Sequence, residues 1–421
     1  MATRFNGGII GVRNSTTGGA SGLATGRFSS NEVLLSVKDN AWPLWQAPTF
    51  NYLFTWGNNG VGRLGLDDTT TRSSPVQVGL QKNWASVAAG GYASAAVKTN
   101  GQLWTWGGNS TGRLGLNDTV NRSSPVQVGA LTNWATPTRG SGNTFCIKTD
   151  GTLWAWGQGA YGANGQNNTQ YRSSPVQIGT STTWTAVAAG GSWCFAVDGG
   201  KLFAWGKGTS AAVDTGHLGL GDLVSRSSPT QVGALTTWAT PATNQRSIGF
   251  VLCTKTDGTL WSWGVNTVPY IAGVYGNLGH NNTISRSSPV QVGTLTNWAT
   301  PSVGSTHSVC VKTDGTLWTW GRNYNSALGL LDTINRSSPT QVGALTNWDT
   351  PTAGHNFTLC TKTDGTLWSW GNGSYGSLGQ AYMGTRSSPV QVGSLTTWPV
   401  GSLNRSKISA GFDFAIAIKT P

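Results

Sequence analysis

The apolar and polar positions of this chain follow the two-residue period that is typical of short β-strands. From Trp84 a stretch of small residues runs to a glycine turn, and residues 92 to 99 then alternate. Asn100-Gly101, a dipeptide typical of two-residue hairpin turns, leads into a return strand at residues 102 to 106. A loop and an outer strand at residues 125 to 129 complete a unit of four predicted strands.

This unit repeats along the chain. The tetrapeptide Arg-Ser-Ser-Pro occurs seven times, at spacings of 50, 50, 54, 60, 50 and 50 residues. A nearly fixed period of this length is typical of repeat architectures, in which each unit buries its apolar face against the next. The seven copies begin at Arg72, Arg122, Arg172, Arg226, Arg286, Arg336 and Arg386.

The two ends of the repeat region complement each other. Residues 52 to 57 have the pattern of a return strand without a preceding partner, and residues 408 to 420 have the pattern of the missing first half of that hairpin. Their pairing would remove the exposed edge that an open sheet leaves. We therefore predict an all-β fold in which residues 49 to 421 form a seven-bladed propeller closed by its C-terminal and N-terminal strands. Residues 1 to 48 are predicted to form an extended arm.

Composition agrees with strands rather than helices. The chain has 60 glycines, 22 tryptophans and a single glutamate, whereas exposed helical positions normally favour Glu, Lys, Gln and Ala. Trp104 and Trp106 lie on the same side of their predicted strand, because side chains alternate along a strand. These tryptophans are expected to fill the space between neighbouring blades.

The net charge of +12 could indicate a nucleic-acid partner. However, seven arginines and six lysines, thirteen of the 27 basic residues, recur once per repeat. Charges placed in this way are spread around the assembly rather than gathered in a groove. The sequence disfavours nucleic-acid binding and leaves open a weak attraction to anionic surfaces. It has no long apolar run, so membrane insertion is not expected.

The reactive side chains do not predict catalysis. Four of the five cysteines occupy one repeat-equivalent position, where another copy has Ala96. Equivalent positions lie on different units, so we expect small buried thiols rather than disulfides. The histidines occupy unrelated repeat positions and lack metal-ligand spacing. We expect no enzyme activity, no cofactor and no metal site; the four histidines are His217, His280, His307 and His355.

Each arginine of the tetrapeptide except one has a carboxylate or an amide four residues before it. We interpret this pair as a structural lock, in which the acidic or amide group caps a turn and the guanidinium binds carbonyls or the carboxylate. A ring of seven arginines presented to an anionic partner is the alternative. The preceding residues are Asp68, Asp118, Asn168, Asp222, Asn282 and Asp332, with Tyr382 as the exception.

Three segments break the repeat. The loops at residues 208 to 217 and 265 to 277 are longer than their counterparts, and residues 244 to 246 depart from the pattern. Insertions of this kind often map to a binding face, while neutral drift of a surface loop explains them equally well. Tyr270 and Tyr275 are the candidate binding side chains, because tyrosine is enriched at interaction hot spots.

The repeat resembles the regulator of chromosome condensation repeat family of seven-bladed propellers. The resemblance covers residues 49 to 421 and rests on Leu-Trp-x-Trp-Gly, the Leu-Gly-Leu loop, the Pro-x-x-Val strand and Val-Lys-Thr-Asp-Gly. It implies a propeller fold. It leaves the function open, because such propellers serve as nucleotide exchange factors, as accessories to ubiquitin ligation, as inhibitors and as scaffolds.

The arm resembles a short segment of structural proteins of tailed bacteriophages, through Gly-Ile-Ile-Gly, Ala-Ser-Gly and a closing Trp-Pro. This resemblance implies a virion structural protein, assembled in the host cytoplasm as part of a larger oligomeric assembly. Ile9, Ile10 and Trp42 would contact other virion proteins, and the propeller would be displayed toward a host-surface glycan or protein. Ser29 and Glu32 could form a capping box for one short helix.

Two further functions stay open. The first is an intracellular regulator that resembles the guanine-nucleotide exchange propellers of the repeat family. The second is a glycan-binding propeller that uses exposed tryptophan or tyrosine rings. Trp193, which lies outside the repeated tryptophan positions, is the candidate for a glycan contact.

Overall fold

The computed structural model describes residues 10–12, 25–27, 50–210, 213–245, 249–267, 276–401 and 406–420. The chain divides into two compact units, Met1–Phe50 and Asn51–Pro421. In the first unit the strands Ile10–Val12 and Thr25–Arg27 pair antiparallel. The predicted contacts of Ile9 and Trp42 and the predicted capping box at residues 29 to 32 lie outside the described residues.

The second unit consists of seven antiparallel four-stranded sheets, the predicted blades. In each blade an inner strand lies nearest the axis, followed outwards by a second, a third and an outer strand. The inner strands of blades 1 to 7 are Ile408–Ala410, Trp84–Ala89, Trp134–Arg139, Trp184–Ala189, Trp238–Thr243, Trp298–Val303 and Trp348–Ala353. The second strands are Phe414–Lys419, Ala93–Lys98, Asn143–Lys148, Trp193–Asp198, Phe250–Lys255, His307–Lys312 and Phe357–Lys362.

The two remaining strands of each blade carry the most regular motifs. The third strands are Tyr52–Gly57, Leu103–Gly107, Leu153–Gly157, Lys201–Gly206, Leu260–Gly264, Leu317–Gly321 and Leu367–Gly371. The outer strands begin at the arginine of each tetrapeptide and are Arg72–Gln77, Arg122–Gln127, Arg172–Gln177, Arg226–Gln231, Arg286–Gln291, Arg336–Gln341 and Arg386–Gln391.

Blade 1 joins the two ends of the propeller. Tyr52–Gly57 pairs antiparallel with Phe414–Lys419, in a register that runs from Tyr52 opposite Lys419 to Gly57 opposite Phe414. The inner strand of blade 1 packs against the inner strands of both blade 2 and blade 7, so the ring of inner strands is continuous. The seven-bladed, all-β prediction is confirmed. Single 3₁₀ turns occur at Ala160–Gly162 and Ser374–Gly376, and a short hairpin pairs Thr209–Ser210 with Val213–Gly216.

Two strand details differ from the sequence pattern. The outer strand of blade 2 begins at Arg122, three residues before the predicted start at Pro125. Proline is tolerated inside it because an edge strand need not donate every hydrogen bond. The second strand Ala93–Lys98 is buried at all six positions rather than alternately. Neighbouring blades cover both of its sides, so neither side faces water.

Tryptophans fill the space between blades. Trp106 is fully buried and packs against Trp84 with ring centroids 6.4 Å apart. Both rings join a core cluster with residues of blade 1, including Leu53 and Ile416. The Leu-Gly-Leu loop of blade 1 reaches the same ring: a Cβ on Gly65 would lie 2.7 Å from Trp106 Nε1, and its φ is +74°. This position therefore requires glycine.

The topology gives the propeller two faces. The turns between inner and second strands and the long loops between third and outer strands lie at one end of every blade, and we call this end the loop face. The turns between second and third strands and the connections to the next blade lie at the other end, the hairpin face. Antiparallel pairing places these segments at opposite ends of each sheet.

Candidate functional site

The tetrapeptide arginines form ion pairs in four blades. Arg72, Arg122, Arg226 and Arg336 each bind the carboxylate four residues earlier, at 2.5 to 2.6 Å. In blade 4 the Asp222 carboxylate also accepts the Val224 N–H. The pKa of Asp222 is lowered by that backbone hydrogen bond and by the pairing with Arg226. This geometry caps a turn and repeats around the rim, as a structural lock would.

The other blades replace the ion pair. Arg172 donates to Gln170 Oε1 at 3.0 Å, and Arg386 donates to Gln380 Oε1 at 3.1 Å. In blade 3 the Asn168 side-chain oxygen accepts the N–H of Gln170, and in blade 5 the Asn282 oxygen accepts that of Ile284. The amides thus cap the turn, and the arginines do not form seven equivalent sites.

Lysines and tryptophans make a second repeated contact, toward the hairpin face. Lys98 Nζ lies 3.9 Å from the centroid of the Trp104 ring. The same stack occurs in four more blades at 3.6 to 3.8 Å. Burial lowers the pKa of Lys98. A contact repeated in five blades is best explained by stability, through cation–π attraction and covered apolar surface. The other four lysines are Lys148, Lys255, Lys312 and Lys362.

Trp193 is buried, so its proposed glycan contact is wrong. Only 1% of Trp193 is exposed, its Nε1 donates to Thr243 Oγ1 at 2.9 Å, and its ring lies 4.4 Å from that of His217. It begins the second strand of blade 4. In three other blades the equivalent strand position holds a buried phenylalanine: Phe250, Phe357 and Phe414. Trp193 therefore has a packing role that the sequence pattern did not reveal. Tyr270 and Tyr275 lie outside the described residues.

Four exposed tyrosines, on four different blades, lie on the loop face. Tyr92, Tyr161, Tyr324 and Tyr375 are 43%, 50%, 71% and 53% exposed. Tyr161 and Tyr375 have φ values of 59° and 62°, which bulky residues rarely adopt. Strained backbone of this kind concentrates at functional sites. The recurring Tyr-Gly dipeptide of the long loops, which Tyr275 shares, is the sequence signal that could have revealed Tyr161 and Tyr375.

Cations lie beside two of these rings. Lys207 Nζ is 5.1 Å from the centroid of Tyr161, and Arg322 Cζ is 5.2 Å from that of Tyr324. Both basic residues directly follow a third strand and so belong to the loop face. The face therefore combines aromatic rings with positive charge, the composition enriched at protein interaction hot spots.

A group of arginines breaks the repeat symmetry on the same face. Arg63 and Arg113 occupy equivalent positions in the long loops of blades 1 and 2, and their Cζ atoms lie 5.1 and 5.7 Å from the centroid of Tyr92. Arg63 donates to the carbonyl of Gly91 at 3.3 Å, and Arg113 donates to that of Ser141 at 2.7 Å. The other blades have no guanidinium here: their residues are Ala163, His217, Asn277, Ala327 and Ser377.

Arg139 completes this group, which we call the arginine corner: Arg63, Tyr92, Arg113 and Arg139. Arg139 ends the inner strand of blade 3, is 2% exposed and donates to the carbonyl of Arg113 at 3.5 Å. Burial, together with the positive charge of Arg113, lowers its pKa to about 9. The salt bridges of the described residues include no carboxylate within 4.0 Å of these three guanidinium groups.

One side chain spans the propeller axis at the loop face. Gln245 of blade 5 reaches across it and donates to the carbonyls of Ala89 and Arg139 at 3.0 and 3.2 Å. Beside it lies a cavity of about 30 Å³, lined in part by His355 and Phe412. Ligand pockets usually measure roughly 300 to 1,000 Å³, whereas one water needs roughly 10 to 15 Å³ of such volume. The cavity therefore suits a few waters rather than a substrate.

The described part of the chain shows no geometry for a metal site, a reactive thiol or a membrane-spanning helix. Its His, Cys, Asp and Glu side chains form no group of three or more that could hold a metal ion. All five cysteines are buried and free, and burial raises the pKa of Cys146 to about 12. Of the helical segments within those residues, none has the length and apolar character needed to cross a membrane.

Comparison with known proteins identifies the repeat. The family model of the regulator of chromosome condensation (RCC1) repeat matches residues 51–97, 100–147, 150–197, 257–311, 314–361 and 364–418. These segments together cover more than half of the chain. Residues 198–256, which the match leaves out, include the irregular loop of blade 4 and the Gln245 turn.

Two curated relatives share part of the propeller. The ultraviolet-B receptor UVR8 of Arabidopsis thaliana is 30% identical over 147 residues, 34% of this chain and 31% of the receptor. The E3 ubiquitin-protein ligase HERC2 of Homo sapiens is 31% identical over 154 residues, 34% of this chain and 3% of the ligase. The chain thus spans less than a third of the length of either relative.

Solved structures share the whole fold. Human WBSCR16 superimposes with a TM-score of 0.74 at 18% identity, covering 88% of this chain and 98% of that protein. Prp20p of Saccharomyces cerevisiae superimposes with a TM-score of 0.71 at 19% identity, covering 89% and 92%. Identities this low show the fold alone. With the repeat matches over most blades, they lead to one conclusion: the chain belongs to the regulator of chromosome condensation (RCC1) repeat family.

Proposed function

We propose that this propeller is a non-catalytic regulatory module that binds a protein partner through its loop face. The observation that carries the proposal is the set of exposed tyrosines at residues 92, 161, 324 and 375, two of them in strained backbone. Rigid aromatic rings beside cations supply large contact area at low entropic cost. A rigid closed ring of strands holds them in fixed positions.

The relatives support a regulatory role. One is named a receptor and another a ubiquitin ligase, and the structure of Prp20p is described together with its binding to Gsp1p and histones. Those partners belong to those proteins, and only the class of function is carried over here. The finer form of the proposal resembles a nucleotide exchange propeller. It is tested by adding the protein to a nucleotide-loaded small GTPase of the same organism and measuring nucleotide release.

The virion interpretation ranks below the regulatory one. It rests on residues 1 to 48, while the relatives named above are eukaryotic proteins and none is named as a virion component. Purification of particles decides between the two. Recovery of the chain in stoichiometric amounts with particles, and its loss after removal of residues 1 to 48, would favour the virion function and location.

A photo-crosslinking amino acid placed on each face tests the main proposal. Tyr324 on the loop face and Leu345 on the hairpin face are 71% and 49% exposed, and they lie at opposite ends of blade 6. We expect a discrete protein adduct in cells of the source organism from position 324 and not from position 345. Adducts of equal yield from both positions, or from position 345 alone, would contradict the proposal.

A further inference from the structure

The arginine corner holds more positive charge than its surroundings neutralise. Three guanidinium groups meet there, and the negative charge that acts on Arg63 is that of Asp413. Buried charges are normally paired, because taking an unpaired charge out of water costs on the order of several kcal/mol. Binding of an anion at the corner would therefore offset the cost of burying these unpaired positive charges.

Hydrogen bonding within the corner is also incomplete. Arg63 Nη1 donates to a carbonyl group, and Arg113 donates from Nη1 to a carbonyl group and from Nε and Nη2 to the hydroxyls of Thr111 and Ser110. However, Arg63 Nε and the Nε and Nη2 atoms of Arg139 are buried without a hydrogen-bond partner among the described residues. Each such donor in a native structure needs a partner, which can be a water, an ion or a polar group of a ligand.

Tyr92 is the exposed residue of the arginine corner. Its ring is 43% exposed, and the guanidinium groups of Arg63 and Arg113 both lie over it. Phe412 packs edge-on against the same ring, with centroids 5.5 Å apart. The arginines themselves are only 5% and 6% exposed. An incoming group must therefore be compact and must approach beside the tyrosine.

We infer that the arginine corner receives a carboxylate side chain from an acidic segment of a protein partner. This inference rests on the loop-face function proposed above and adds the chemistry of the partner. A planar carboxylate matches the fork of a guanidinium, and exposed aromatic rings around the corner suit a protein surface. A doubly charged phosphate would face the Asp413 carboxylate, which favours the singly charged group.

The repeat itself supplies variants that should fold. Blades 3 and 6 have Ala163 and Ala327 where blades 1 and 2 have the arginines, and Ala189 stands where blade 3 has Arg139. Alanine is thus compatible with the backbone at each of these positions. The variant Arg63→Ala/Arg113→Ala removes two charges from the loop face. The control Lys82→Gln/Lys201→Gln removes two charges from the hairpin face.

The probe is a fluorescein-labelled octapeptide of alternating glutamate and glycine, titrated against the full chain at constant ionic strength. We expect the arginine variant to weaken binding at least tenfold and the lysine control to weaken it less than twofold. Equal losses in both variants would show attraction by net charge alone and would overturn the inference. So would the absence of binding to the unaltered protein.

Competition experiments distinguish a carboxylate from a phosphate as the bound group. The cross-link distinguishes failure of this inference from failure of the proposed loop-face function. Displacement of the peptide by inorganic phosphate but not by the same concentration of acetate would overturn the carboxylate assignment. A normal adduct from position 324 together with unchanged peptide binding by the arginine variant would overturn only this inference. Absence of the adduct from position 324 when all three arginines are intact would overturn the proposed function itself.

Discussion

A buried histidine makes the stability of the propeller depend on pH. His307 is 1% exposed, and its Nε2 lies 3.0 Å from Thr358 Oγ1. That hydroxyl donates to the carbonyl of Ala327, so it accepts from His307 in the neutral Nε2–H form. Burial, and to a lesser extent the nearby His355, lowers the pKa of His307 to about 3.

The direction in which the free energy of unfolding changes with pH follows from this lowered pKa. Well above pH 6.5 the imidazole is neutral in both states and contributes no pH dependence. As the pH falls below 6.5, the unfolded chain takes up a proton that the folded chain refuses, so the free energy of unfolding decreases. For pKa values of 6.5 unfolded and about 3 folded, the loss between pH 7 and pH 5 is about 2 kcal/mol.

The variant His307→Phe isolates this contribution. Phenylalanine fills the equivalent position in other blades, as at Phe357 and Phe414, so the ring should be accommodated. The assay is urea unfolding followed by tryptophan fluorescence at pH 7 and pH 5. The unaltered protein should lose about 2 kcal/mol more than the variant over this interval. Equal losses would refute the neutral buried imidazole. His217, whose pKa burial lowers to about 4, should remain as a similar contribution in both proteins.

Three further predictions follow from the repeated contacts. Gly65→Ala should destabilise the propeller by about 2 kcal/mol or more, because the added Cβ meets Trp106. In the control Gly79→Ala the added Cβ meets nothing within 4 Å, so this variant should lose only about 1 kcal/mol through its positive φ. Urea unfolding midpoints compare the two variants, and equal shifts would contradict the packing of Gly65 against Trp106. Arg122→Gln should cost less than about 1 kcal/mol, because its ion pair with Asp118 is partly exposed, and a larger loss in thermal unfolding would show a stronger lock. The buried thiols, including Cys146 and Cys360, should resist a thiol reagent in the native state and react on unfolding; rapid native labelling would argue against their burial.

Repetition explains what the sequence could predict. The tetrapeptide spacing and the incomplete hairpins at residues 52 and 408 depend on local patterns, and the fold preserves such patterns in every blade. Gly65 shows the same logic, since its equivalents also lie against a tryptophan of the following blade. The strand order and the closure of the ring therefore follow from the pattern of residues along the chain.

The candidate site could not be derived in the same way. Arg63, Arg113 and Arg139 lie on three consecutive blades, and the packing of each blade against the next places Arg63 and Arg113 over Tyr92 and Arg139 against the carbonyl of Arg113. Trp193 shows the opposite error: an unrepeated tryptophan suggested exposure, but the ring replaces a phenylalanine of other blades in the core. Departures from a repeat thus mark both candidate binding residues and alternative packing, and burial is needed to separate them.

Binding of the partner captured at position 324 distinguishes the two faces of the propeller most directly. One variant replaces Tyr161, Tyr324 and Tyr375 by serine, and the control replaces Leu80, Leu131 and Leu345, which are also exposed but lie on the hairpin face. We expect the tyrosine variant to bind the purified partner at least tenfold more weakly, while the leucine control binds as the unaltered protein does. A tyrosine variant with full affinity, or a leucine control with the larger loss, would show that the loop face is not the binding surface.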